Sequence, residues 1–179
     1  MTVMDAALRE RATKIRMLVL DVDGVLTDGK LYFDHAGNEL KAFHTRDGLG
    51  MKALQRNGIE VAVITGRKSE AVTHRMRQLD IEHVYQGRED KLNAFLHLLE
   101  NAGLDAAQIC FAGDDWIDLP VLLRAGLAVT VADAEEHVKE HVHWITGRNG
   151  GDGAVREICN LILAAQGKEQ PILDEILAS

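Results

Sequence analysis

Short, nearly uninterrupted apolar runs recur along the chain, MLVL at 17–20, VAVI at 61–64, ICFA at 109–112 and LAVTVA at 127–132, and a stretch with helical spacing of apolar residues follows each. A strand that is apolar on both of its faces must be covered on both, which is the condition of a parallel sheet between layers of helices. Parallel neighbours also need a crossover long enough to hold a helix. The chain is therefore expected to be an α/β protein with a Rossmann-like, mostly parallel sheet and helices on both faces.

The spacing predicts strands at 17–21, 61–66, 83–87, 109–114, 127–132 and 143–146. It predicts helices at 47–58, 68–79, 89–103, 118–125, 134–141 and 154–166, with Pro120 tolerated in a first turn. A leading helix over 3–15 rests on Val3, Ala7, Leu8, Ala12 and Ile15. KLYFDHAGNELKAF, 30–43, reads as a β-hairpin around a Gly-Asn turn. GRNGGDG, 147–153, is a loop, and the polar tail from Gly167 is either loose or docked. No shift in composition and no repeat divides the chain, so 1–179 is expected to form one domain.

Aromatic residues make up only 4% of the sequence, so the core must be built from Leu, Val, Ile and Ala. The net charge of −8 argues against nucleic acid or an anionic membrane surface as partner, because both need a basic field. It leaves room for a small anionic substrate held by a few cations and a metal. Cys110 and Cys159 sit in apolar contexts without ligand spacing and read as buried free thiols, and the eight histidines show no zinc pattern and read as surface residues. The N-terminus has no signal-peptide run and no window reaches membrane-span length, so a cytoplasmic protein is expected.

Open α/β sheets bind ligands beyond the carboxyl ends of their strands. Asp21 and Asp23 follow the first strand, Thr65, Gly66 and Arg67 the second, and Gly113, Asp114 and Asp115 the fourth, with Asp118 close behind. Lys91 opens the helix after the third. Each has a plain structural reading: strand-end turns for Asp21 and Asp23, a helix entry for Thr65-Gly66, a solvated helix residue for Lys91, an N-cap for Asp118. Gathered on one sheet edge they suit phosphoryl transfer. Clustered carboxylates need a cation to ionise together, and oxygen ligands select Mg²⁺. A hydroxyl, an open glycine amide and a lysine match phosphoryl oxygens.

The segments LDVDGVLTDG, ITGR, Lys91 and GDDWID resemble the four motifs of the haloacid dehalogenase-like phosphatases. The resemblance implies that Asp21 is a nucleophile forming an aspartyl-phosphate and that Asp23 is the general acid and then the base. It implies Mg²⁺ held by Asp21, the backbone carbonyl of Asp23, and Asp114. Thr65, Gly66 and Lys91 would bind the phosphate, with Asp115 and Asp118 orienting metal-bound waters and the lysine. Only a hairpin and one helix lie between Asp21 and Thr65, so no cap domain is expected.

A finer similarity runs through DVDGVLTDG, the hairpin, TRDG, TGRKSEAVTHR, GDDWIDLPVL and GRNGGDGAVREICNLIL, toward the 3-deoxy-D-manno-octulosonate 8-phosphate (Kdo 8-phosphate) phosphatase family. It implies a homotetramer whose hairpins meet at the centre and whose neighbouring subunits wall the site. The implied substrate is a sugar-acid phosphate, whose carboxylate needs cations. Arg67 and Arg75, eight residues apart on one side of a helix, are candidates, or else solvated arginines. Relatives acting on nine-carbon sugar acids commonly carry an acidic residue in place of Arg67, so arginine favours the eight-carbon substrate. Thr45, Arg46, Asp47 and Gly48 either shape the mouth of the site through free amides at a helix start or form only a capping turn. Asp152 stands where the family often has arginine, in GGDGAVRE. The alternatives are a phosphatase of a nine-carbon acid or another metabolite, and a non-catalytic domain of the same fold.

Overall fold

The computed structural model describes residues 4–178. The strands are β1 (Met17–Leu20), β2 (Tyr32–Phe33), β3 (Glu39–Leu40), β4 (Glu60–Ile64), β5 (His83–Tyr85), β6 (Ile109–Ala112), β7 (Leu127–Thr130) and β8 (Trp144–Ile145). Six of them form one sheet in the order β5-β4-β1-β6-β7-β8, every pair parallel. The chain lays β4 and β5 on one side of β1 and then returns to lay β6, β7 and β8 on the other. The strand order therefore reverses at β1, where such sheets open a crevice. Leu20 pairs with Val63 on one flank and Ala112 on the other, so the segments leaving these three strands emerge side by side.

The apolar runs are explained by a core on each face. Leu18, Leu20, Val61, Val63, Cys110 and Leu127 point to one side and pack under α1 (Ala6–Thr13), α2 (Thr45–Arg56), α3 (Glu70–Gln78) and α7 (Ala154–Ala165). Met17, Val19, Ala62, Ile64 and Phe111 point to the other, under α4 (Lys91–Ala102), α5 (Leu119–Leu122) and α6 (Glu136–Lys139). Both cysteines are buried free thiols. Among the described residues no helix is long and apolar enough to cross a membrane.

Several boundaries differ from the sequence expectation. The leading helix spans Ala6–Thr13, capped by Asp5, and Val3 lies outside the described residues. α2 starts at Thr45 with His44 as its cap, so Asp47 lies inside the helix rather than at its start. α5 and α6 are single turns, since one turn suffices to return the chain to the next short strand. The tail takes the docked alternative, as a helix, α8 (Glu169–Ala178), with Ile172 packed on the core. Gly167, at φ 68°, breaks α7, and Lys168 docks the joint by donating to the Asn57 carbonyl at 2.8 Å.

The hairpin β2–β3 stands apart from the main sheet, with Tyr32 opposite Leu40 and Phe33 opposite Glu39. Its turn runs over Asp34–Gly37 rather than around Gly-Asn. The Asp34 carboxylate accepts from the amides of Ala36 and Asn38, and Gly37 at φ 83° supplies the left-handed residue such a turn needs.

Candidate active site

Asp21 leaves β1 almost fully buried, and its amide donates to Ala112, carrying the β1–β6 ladder one residue further. Lys91 opens α4 behind its cap, Asp90. The Lys91 ammonium lies between Asp21 Oδ1 at 2.9 Å and Asp118 Oδ1 at 2.6 Å. Asp118 Oδ2 accepts from the amides of Asp114, at 3.1 Å, and Asp115, at 3.3 Å. Asp118 is completely buried, and it fits because Gly113 has no side chain: a Cβ there would collide with its carboxylate. Burial disfavours the Lys91 ammonium, but the charges of Asp21 and Asp118 outweigh it and hold the group above the ordinary lysine value.

Asp114 leaves β6 beside Asp21. Its Oδ1 is buried with no hydrogen-bond partner among the described residues. A Cβ at Gly24 would collide with the same carboxylate, so the Asp23–Gly24 backbone lies directly against it. Carboxylate oxygens of Asp21, Asp114 and Asp118 lie within 4.8 Å of one another. Both oxygens of Asp118 are already occupied by the lysine and the two amides, which leaves Asp21 and Asp114 as the side chains able to hold an ion. An all-oxygen set with an orphaned buried carboxylate fits Mg²⁺.

Burial and the charges of Asp21 and Asp118 push Asp114 up to about 8. Burial and the charge of Asp118 likewise raise Asp21, despite Lys91. Without metal, the folded protein therefore keeps protons that the unfolded chain has released. These two groups then withdraw stability as pH climbs from the ordinary carboxylate range through about 8. Mg²⁺ held between these carboxylates would compete with those protons. The rise in Tm given by millimolar Mg²⁺ is expected to grow between about pH 6 and about pH 8.5. A pH-independent rise in a thermal-melt series would show that these carboxylates do not share the ion.

Asp23 points to the other side of the turn, where the hairpin reaches it. Its Oδ1 is ion-paired with Lys41, and its Oδ2 lies 3.9 Å from Arg67 Nε. Glu39 closes the ring, hydrogen-bonded to Arg67 Nη2 through Oε2 and 3.2 Å from Lys41 Nζ through Oε1. Burial would raise the Glu39 carboxyl, but the Arg67 and Lys41 hydrogen bonds outweigh it and hold the group below the usual range. The sequence reading missed both hairpin residues. The signal was present: Glu39 and Lys41 flank Leu40 on a predicted strand, so two opposite charges share one face.

Thr65 is buried, and its hydroxyl accepts from the Arg67 amide at 3.4 Å. Gly66 follows in the same turn, beside the Ile117 side chain. The pairing of Arg67 with Arg75 by helical spacing does not hold. α3 is capped at Ser69, so Arg67 belongs to the preceding loop. Arg75 instead lies over Gly48, its guanidinium filling the space a Cβ would need.

Within 45–48, Asp47 and Gly48 are committed to packing. Asp47 is buried and its Oδ1 accepts from the Arg156 amide at 2.8 Å, holding the first turn of α7, and burial pushes its carboxyl up. Thr45 and Arg46 remain exposed. Asp115 caps its own turn through the Trp116 amide at 2.6 Å, so only Asp118 of that pair touches the lysine. The loop 147–153 buttresses the turn after β1: the Gly151 amide donates to Val25, and a Cβ at Gly150 would strike the Gly24 carbonyl. Asp152 stays exposed, 3.9 Å from His44.

Comparison with known proteins agrees with this arrangement. A family model for haloacid dehalogenase-like hydrolases matches residues 81–158. The chain is 47% identical, over 92% of its length and 88% of the relative's, to 3-deoxy-D-manno-octulosonate 8-phosphate phosphatase KdsC of Escherichia coli (strain B / BL21-DE3). Among solved structures it is similar to a probable YrbI family phosphatase from Pseudomonas syringae pv. phaseolica 1448a, with TM-score 0.95 and 47% identity over 97% of this chain and 98% of that one. It is also similar to the Moraxella catarrhalis 3-deoxy-D-manno-octulosonate 8-phosphate phosphatase, solved with magnesium ion, phosphate ion and KDO. That match has TM-score 0.92 and 38% identity over 94% of this chain and 97% of the other. With a relative of this identity spanning nearly the whole chain, and the carboxylates and lysine of the four motifs gathered at the switch point, the chain belongs to the KdsC family of haloacid dehalogenase-like phosphatases.

Proposed function

We propose that the chain hydrolyses Kdo 8-phosphate to Kdo and inorganic phosphate as a Mg²⁺-dependent phosphomonoesterase, in the synthesis of lipopolysaccharide precursor. The observation that carries this reading is the buried Asp21–Lys91–Asp118 array beside the orphaned Asp114 carboxylate. All 179 residues serve one catalytic domain in this reading.

Asp21 attacks phosphorus, an aspartyl-phosphate forms, and the bond from phosphorus to the sugar oxygen breaks. Asp23 gives its proton to the departing alkoxide. It then takes a proton from the water that attacks the acyl phosphate, which releases phosphate and restores Asp21. Such proton transfers are worth roughly 10²–10⁴-fold each. Lys91, fixed by Asp118, aims Asp21 and offsets charge on the phosphoryl oxygens, to which Thr65 and the Gly66 amide donate. Asp21, Asp114 and the Asp23 carbonyl would hold Mg²⁺, which when bound would supply positive charge against the repulsion between an anionic nucleophile and a phosphate dianion.

Arg67, about half exposed at the rim, is the proposed partner of the sugar-acid carboxylate. Exposed Thr45 and Arg46 line the mouth, and Arg75 acts only through α2. The exposed Leu31, Phe33 and Leu40 support a homotetramer in which hairpins pack together and neighbours cover the site, because a two-stranded hairpin is marginal alone. A cytoplasmic location suits free thiols and a phosphorylated intermediate.

Phosphate release from a panel with and without EDTA tests the reading. The panel holds Kdo 8-phosphate, a nine-carbon sugar acid 9-phosphate and glucose 6-phosphate. The expected kcat/KM for Kdo 8-phosphate exceeds the others by at least about tenfold, because glucose 6-phosphate lacks the carboxylate and the nine-carbon acid sets it at a different distance from the phosphate. Comparable values on all three would sink the substrate assignment and keep the chemistry. No EDTA-sensitive release from any would sink both. Light scattering of the eluted protein checks the tetramer.

A further inference from the structure

We propose that Lys41 is the positioning residue for Asp23, so that the hairpin sets the acid/base carboxylate from within the same chain. The inference rests on the reading of Asp23 as acid and base. Asp23 sits on a turn beyond β1, with about a fifth of its side chain exposed. Among the described residues, its ion-pair partners are Lys41 and the more distant Arg67.

The Lys41 side chain is 2% exposed although it extends from a hairpin whose apolar residues face solvent. An ammonium so enclosed cannot drift among water partners as a surface lysine does. Glu39, two residues earlier, lies 3.2 Å from the ammonium through Oε1 and is ion-paired with Arg67 through Oε2. Asp23, Lys41, Glu39 and Arg67 thus close a ring of which Asp23 is the member nearest the proposed nucleophile in sequence. Proton delivery to a departing alkoxide needs the acid within hydrogen-bond reach of that oxygen, so fixing the carboxylate is a condition of the step. The plain alternative is that Lys41 merely anchors the hairpin.

Leaving-group dependence separates the two. An alkyl phosphate needs a proton on its leaving oxygen, whereas p-nitrophenyl phosphate releases a stable phenolate without one. kcat/KM spans only the steps up to loss of that group, so the later attack of water does not enter. In the full chain with Mg²⁺, Lys41→Met is expected to lower kcat/KM for Kdo 8-phosphate by about 10- to 100-fold and that for p-nitrophenyl phosphate by less than about threefold. Lys41→Arg is expected to recover part of the loss. Equal loss on both esters, or none, overturns the inference. If Lys41→Met does not fold, Glu39→Gln is read instead, with a smaller loss of the same selectivity expected and an unselective result overturning the inference. Asp23→Asn runs alongside. Unselective behaviour there faults the acid/base reading itself. Selective behaviour there with an unselective Lys41→Met faults only the role of Lys41.

Discussion

Asp21→Asn is expected to lower Kdo 8-phosphate turnover by at least about 10⁴-fold while the protein stays folded. The change swaps one oxygen for a nitrogen of nearly the same size, so the Asp21 site is refilled without a cavity. What is lost is the anionic oxygen proposed to attack phosphorus, and no neighbour is placed to replace it. Asp118 is tied to Lys91 and two amides, and Asp23 faces the hairpin. The metal-free melting point should hold or rise, because Asp21 is a buried carboxylate that adds to the crowding around Asp114 and Asp118. Mg²⁺ should then add less to Tm than it adds to the wild type, since one of the two proposed side-chain ligands is gone. Phosphate release and melts with and without Mg²⁺ read all three effects. Turnover within tenfold of wild type would remove Asp21 from the nucleophile's role. A folded, inactive protein whose response to Mg²⁺ is unchanged would remove it from the ion.

The site's inner part was legible because its residues sit at fixed offsets from strands that announce themselves. A run apolar at every position has only one kind of home, a sheet covered on both faces, and the residue after it must emerge at the sheet's edge. Asp21, Thr65 and Asp114 could therefore be brought together from sequence, and Lys91 followed from the helix it opens. The strand order placing β1 between β4 and β6 is a tertiary fact, but it concerns neighbours of strands already identified.

The outer part was harder for a physical reason. Arg75 and Asp47 are polar residues whose partners lie on elements distant in sequence: Gly48 for one, the first turn of α7 for the other. Their type and spacing equally fit a binding residue and a packing residue, and only the fold decides. Lys41 was passed over. Its enclosure by Asp23 and Glu39, just past the two-residue β3, depends on how the hairpin folds back. The tail was obscured because α8 follows a glycine and opens on two polar residues and a proline.

Lys91→Met should produce the largest stability loss of any single change at the site, about 3–5 kcal/mol near neutral pH, together with loss of turnover. Methionine keeps the length of the side chain and fills the same tunnel, so packing is largely spared. The ammonium is what disappears, and it stands between two carboxylates almost without water. Asp21 and Asp118 are then left facing each other uncompensated, and Asp21 is pushed further up than it already is. A raised folded-state carboxyl stabilises when protonated and withdraws that stability as pH rises, so the deficit should shrink as pH falls from about 8 toward about 5. Asp118→Asn added to Lys91→Met supplies a second check. It keeps an oxygen for the Asp114 and Asp115 amides, removes the stranded charge, and should recover much of the lost stability. Turnover should not return with it, because nothing then aims Asp21 or offsets the phosphoryl charge. Melts of both variants across pH, set beside phosphate release, decide the matter. A pH-independent deficit would mean that the lysine acts through packing. Activity restored in the double variant would mean that Asp118 and Lys91 hold the architecture and take no part in the chemistry.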